Sequence, residues 1–112
     1  MAKLERRLTG DFHGLLRELD SGILEGSISA SYEDGSDYAV GEVRCAVRVY
    51  ERYSALGGNR VSLNITLVGR GTDLFLSAIT SGGSQAMFFK INTLGEESFL
   101  SGIEEIVDRY ES

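Results

Sequence analysis

The hydrophobic period of this chain switches from helical to alternating and back again. That switch limits the fold more than any other property of the sequence. Phe12, Leu15, Leu16, Leu19, Ile23 and Leu24 recur at intervals of three and four, which lays one apolar stripe along a helix. Asp11 stands just ahead of the stripe as an N-cap, and Gly22 and Gly26 mark the expected stop. Before the stripe, Lys3 to Leu8 alternates weakly and predicts a first strand. From Ser27 onward the period is two, as a strand requires.

The alternating part divides at its turn residues. Ile28, Ala30 and Tyr32 face one way, and Glu33-Asp34-Gly35-Ser36-Asp37 then predicts a turn. A long strand is expected from Glu42 to Tyr53. Its inner face would carry Val43, Cys45, Val47 and Val49, and its outer face Arg44, Ala46, Arg48, Tyr50 and Arg52. Gly57-Gly58-Asn59 turns the chain into Val61, Leu63, Ile65 and Leu67, which alternate with Ser62, Asn64 and Thr66. Pairing Tyr50 with Asn64 and Arg52 with Ser62 keeps Arg52 away from Arg60, a like charge. After a turn at Gly69 to Asp73, the stretches Leu74 to Ser81 and Ser84 to Ile91 flank Gly82-Gly83, a two-residue hairpin signal. Thr93 with Glu96 forms a capping box for a last helix striped by Phe99, Ile103, Ile106, Val107 and Tyr110.

Strands joined by short turns are antiparallel, and two helices with one apolar stripe each cover one face of the sheet they form. The expected fold is therefore α+β: a single domain over residues 1–112, in the order β-α-β-β-β-β-β-α, with a curved antiparallel sheet and both helices on one side. This order resembles the helix-grip and TATA-binding-protein-like arrangements. The string GGNRVSLNITLVGRGTDLFLSAITSGGSQAMFFKINTLGEESFL, residues 57–100, is similar to an uncharacterised family of small bacterial proteins, a domain of unknown function. The resemblance implies a fold and no activity.

Charge narrows the partners. At a net charge of -6 and a pI near 4.7, the chain is repelled by phosphate backbones and anionic headgroups, so neither nucleic acid nor a membrane is the expected partner. No apolar run is long enough to span a bilayer. The lone Cys45 and the absence of an apolar leader after Met1 predict a cytoplasmic protein.

The usual catalytic residues are scattered. His13 is the single histidine and lies off the helical stripe, so no pair of histidines can seat a typical zinc ion. Cys45 reads as a thiol packed among valines rather than a nucleophile. Glu96-Glu97 and Glu104-Glu105 read as a solvated helix face. Gly69-x-Gly71 and Gly82-Gly83 do not lead into helices as phosphate loops do, and the Asn64-Ile65-Thr66 sequon is mid-strand. No metal or cofactor is implied.

Two surface features point to binding. Arg44, Arg48 and Arg52 share one strand face with Tyr50, and Asn64 is expected beside them. Together they form a guanidinium strip suited to a small anionic ligand. Phe75, Ile79 and Phe88 are expected on the sheet face turned away from the helices, too apolar to be left in water. A homodimer through that face is the simplest cover. The sequence thus describes a non-enzymatic cytoplasmic protein that dimerises and binds a small ligand or a protein partner. The alternative is a helix-grip-type enzyme or carrier with a small-molecule cavity between sheet and helices.

Overall fold

The computed structural model describes residues 2–26, 29–53, 60–82 and 100–110. Strand β1 spans Ala2–Thr9 and helix α1 Phe12–Glu25. Strands β2 (Ser31–Val40), β3 (Val43–Tyr53), β4 (Arg60–Arg70) and β5 (Asp73–Gly82) follow, and residues 100–107 form helix α2. The five strands make one antiparallel sheet in the order β1-β5-β4-β3-β2. The fold is α+β, as the periodicity predicts, and among the described strands the sheet is open, with β1 and β2 at opposite ends of the order. The predicted strand Ser84 to Ile91, the Gly57-Gly58-Asn59 turn and the Thr93–Glu96 capping box lie outside the described residues.

Local chemistry sets the element ends. Asp11 caps α1 by accepting a hydrogen bond from the Gly14 N–H at 2.7 Å. Gly22 does not end the helix; its carbonyl accepts from the Gly26 N–H, and Gly26 is the C-cap. Gly41 and Gly71, at φ 59° and 62°, take the left-handed backbone that two-residue hairpins need, and they join β2 to β3 and β4 to β5.

Two expectations fail here, for physical reasons. The stretch Glu33 to Asp37 is not a turn; it runs straight through β2, with a register irregularity between Tyr32 and Asp34. An edge strand tolerates such charge, because acids there discourage further strand pairing. Gly35 serves a close approach instead: a Cβ there would stand 2.6 Å from the Tyr32 hydroxyl and 2.9 Å from the Val47 carbonyl oxygen.

The second failure is the register of β3 on β4. Tyr50 opposes Leu63 and Arg52 opposes Val61, one residue away from the expected pairing with Asn64 and Ser62. A slip of one residue exchanges the faces of a strand. Ala46 and Tyr50 are therefore in the core at 0% and 1% exposure, while Val43, Cys45, Val47 and Val49 turn to the other side and are only partly buried. Tyr50 brings more apolar area than any valine, and its hydroxyl finds an acceptor, Asp20 of α1, at 2.6 Å. Arg60 is satisfied without facing Arg52, through an ion pair with Glu51 and a position 6.0 Å from the Tyr53 ring centre.

The core lies between one sheet face and both helices. Leu15, Leu19 and Ile23 of α1 and Ile103 and Val107 of α2 pack on Leu4 and Leu8 of β1, Leu63, Ile65 and Leu67 of β4 and Leu76 and Ala78 of β5. The chain beyond α2 is fastened to the start of the fold. The Thr9 N–H donates to the Tyr110 carbonyl at 2.8 Å, and the Tyr110 hydroxyl donates to Glu18, which also pairs with Arg109 at 3.3 Å. The Tyr110 bond, aided by Arg109, holds the Glu18 carboxyl below its ordinary 4.5. A depressed carboxyl contributes stability above its unfolded value and loses it as pH falls through the folded one. Thermal melts between pH 7 and pH 3 should therefore show a shallower acid decline in Glu18→Gln than in the wild type. An unchanged decline would show the contact to be energetically silent.

Candidate functional site

The exchanged faces of β3 create two surfaces. The first is the sheet face opposite the helices. Val43, Cys45, Val47 and Val49 of β3 line its middle, with Val68 of β4 across from Cys45 and Phe75 of β5 across from Val68. Ile79 pairs with Asn64 on the same side. None of these apolar residues belongs to the core cluster, and Phe75 and Ile79 are 39% and 37% exposed. Cys45 is thus a partly buried thiol on an open face rather than a core thiol. Lys3, Glu5 and Arg7 border this face on β1, across from Ile79, Ser77 and Phe75, and Asp34 borders it on β2, across from Val49. Phe88 lies outside the described residues.

The second surface is a groove on the helix side, where α1 leaves the β2–β3 wing of the sheet uncovered. Arg44, Arg48, Tyr50 and Arg52 all point to this side, paired with Gly69, Ile65, Leu63 and Val61. Asn64 does not join them; it faces the opposite surface, because it pairs with Val49. The Arg48 guanidinium is held by Asp37 at 3.0 Å and by the Val47 carbonyl at 2.9 Å. Tyr50 is buried on this side, with Tyr32 edge-on to it at 5.8 Å and 71°. Burial, with the bond it donates to Asp20, pushes the Tyr50 phenol well above its ordinary 10.0, and burial lowers the Arg52 guanidinium from its ordinary value.

The groove has a volume of about 460 Å³ and is walled by Leu16, Arg17, Asp20 and Leu24 of α1 and by Tyr32 and Arg48. A separate recess of about 320 Å³ is lined by Phe12 and His13 of α1 with Asp37 and Arg44. His13 is exposed and stands edge-on to Phe12 at 5.3 Å. The helical wall was missed by the strip reading of the strand. Its signal was the four-residue ladder of Phe12, Leu16, Asp20 and Leu24, a row running up one side of the apolar stripe.

Among the described residues no His, Cys, Asp and Glu group is placed to hold a metal ion, and no helix is long and apolar enough to cross a membrane. Residues 1–111 match the model of DUF6054, a family of unknown function. The chain belongs to that family. No curated protein matches the sequence. The family description names no reaction, so the reading of these two surfaces rests on their geometry and chemistry.

Proposed function

We propose that this member of the family is a non-enzymatic homodimeric binding module of a reducing compartment, its two subunits packed through their open sheet faces. The observation that carries the reading is the apolar centre of that face: four β3 side chains with Val68, Phe75 and Ile79. Strands about 4.8 Å apart and rising ~3.3 Å per residue give a five-stranded face of this length a footprint on the order of 800 Å². That is about what one partner buries in a standard stable interface, ~800 Å². Aligned sheet packing about a two-fold axis along the strands lays the β1 edge of one subunit over the β2 edge of the other. Lys3, which shares a cross-strand row with Asp34 through Ile79, Asn64 and Val49, then meets Asp34 of the partner subunit, so the edges add one opposite-charge pair to the apolar centre.

Sedimentation velocity at tens of micromolar should show a dimer for the wild type and a monomer for Phe75→Asp, with unchanged far-UV circular dichroism. Cys45 should also react faster with a thiol reagent in the variant, since it lies on the same face. A monomeric wild type would overturn the reading. A second reading, a small-molecule carrier, is favoured by the groove beside α1, which lies on the other side of the sheet and does not compete with the interface.

A further inference from the structure

The groove between α1 and the β2–β3 wing combines an apolar wall with an excess of cations in an acidic protein. The lining of the groove carries two arginines, Arg17 and Arg48, against one aspartate, Asp20, a surplus of one positive charge in a chain whose net charge is -6. Asp20 is already engaged by the Tyr50 hydroxyl at 2.6 Å, and Asp37, outside the lining, pairs with Arg48 at 3.0 Å. Those two bonds hold the carboxylates in place and leave Arg17, exposed on α1, turned to the groove. Arg48 is held rigidly, its side chain 19% exposed, so its guanidinium is fixed in place before a ligand arrives. Between the charged groups run Leu16, Leu24 and the face of Tyr32.

We propose that this groove binds an amphipathic monocarboxylate, its acid head at Arg17 and Arg48 and its hydrocarbon body along Leu16, Leu24 and Tyr32. One surplus positive charge suits a monoanion; a phosphate dianion would need a stronger cationic cluster. The apolar wall sets the rest of the ligand, because hydrocarbon lying against two leucines and a ring leaves water at a favourable ~25 cal/mol per Å². The site stands apart from the open sheet face, so it holds for a monomer as well as for a dimer.

Octanoate is the probe, with octylammonium as its charge-reversed control, and the readout is the backbone amide NMR spectrum of the full chain. Octanoate should shift the amides of Leu16, Arg17, Leu24, Tyr32 and Arg48 saturably at millimolar concentration, and octylammonium should not. Arg17→Gln, at an exposed position, should keep the dispersed spectrum of a folded chain and weaken octanoate about ten-fold, equivalent to ~1.4 kcal/mol. Leu24→Asn should weaken it as well, since the body of the ligand lies there. No saturable shift, an equal response to octylammonium, shifts confined to the open sheet face, or unchanged affinity in folded Arg17→Gln would each overturn the proposal. None of these outcomes bears on the sedimentation of Phe75→Asp, which tests the dimer alone.

Discussion

Replacing Ala46 by aspartate is expected to unfold the protein, whereas the same change one residue along, Val47→Asp, is expected to leave it folded and monomeric. Ala46 is wholly buried, paired with Leu67 in the core. A carboxylate there has no partner and no water, and an unpaired buried charge costs several kcal/mol. That is comparable to the whole stability of a small fold, ~5–15 kcal/mol. Val47 is the more hydrophobic residue, yet it is partly exposed on the open face between Ser36 and Thr66. A carboxylate there keeps its hydration and instead repels its copy across the proposed interface. Circular dichroism with sedimentation separates the cases. A folded Ala46→Asp with an unfolded Val47→Asp would mean that the two faces of β3 are exchanged.

Tyr50→Ala should cost about 3–5 kcal/mol, the range for deleting a buried aromatic side chain. The ring sits on Leu63, Tyr32 packs edge-on against it, and its hydroxyl is the bond that holds Asp20. Tyr50→Phe keeps the ring and removes only the donor, so its cost should be roughly 1–2 kcal/mol. Urea titration of the two variants divides the contribution of Tyr50 between packing and hydrogen bonding. If Tyr50→Phe were as costly as Tyr50→Ala, the bond to Asp20 would outweigh the burial of the ring. If it were neutral, Asp20 would have no part in holding the β2–β3 wing to α1.

The helical elements were legible because only one of their faces is apolar. The α1 stripe and the Asp11 cap were readable directly, as were the inward Leu74, Leu76 and Ala78 of β5 and the whole inward row of β4. Strand β3 was ambiguous because both of its faces carry apolar groups: four small ones, and the pair Ala46 and Tyr50. Alternation alone favours the larger number, but the fold favours the side chain with the larger area and an available acceptor. That acceptor, Asp20, lies thirty positions away in sequence, outside the reach of any local pattern. The Glu33 to Asp37 stretch misled for a related reason. Its composition is that of a turn, yet its glycine is needed for a tight contact with Tyr32 and Val47 rather than for a bend. Of the arginine strip, the shared face of Arg44, Arg48, Tyr50 and Arg52 was legible; the position of Asn64 was not, because it depended on a register that one residue reverses.

The place of β1 in the sheet has a consequence for how the protein is made. Among the described strands its one neighbour is β5, with Ala2 opposite Thr80 and Thr9 opposite Asp73. On the ribosome β1 and α1 leave ahead of β2 to β5, but the strand that β1 pairs with follows roughly seventy residues later, about 4–14 s at ordinary rates of synthesis. During that wait the leucines of α1 have an incomplete sheet to lie on, because β5, which brings Leu74, Leu76 and Ala78 to the core, has yet to emerge. Strands β2 to β5, joined in succession as neighbours, can assemble as they emerge. The apolar stripe of α1 is therefore only partly covered until β5 arrives, and it is the surface a chaperone on the nascent chain would meet.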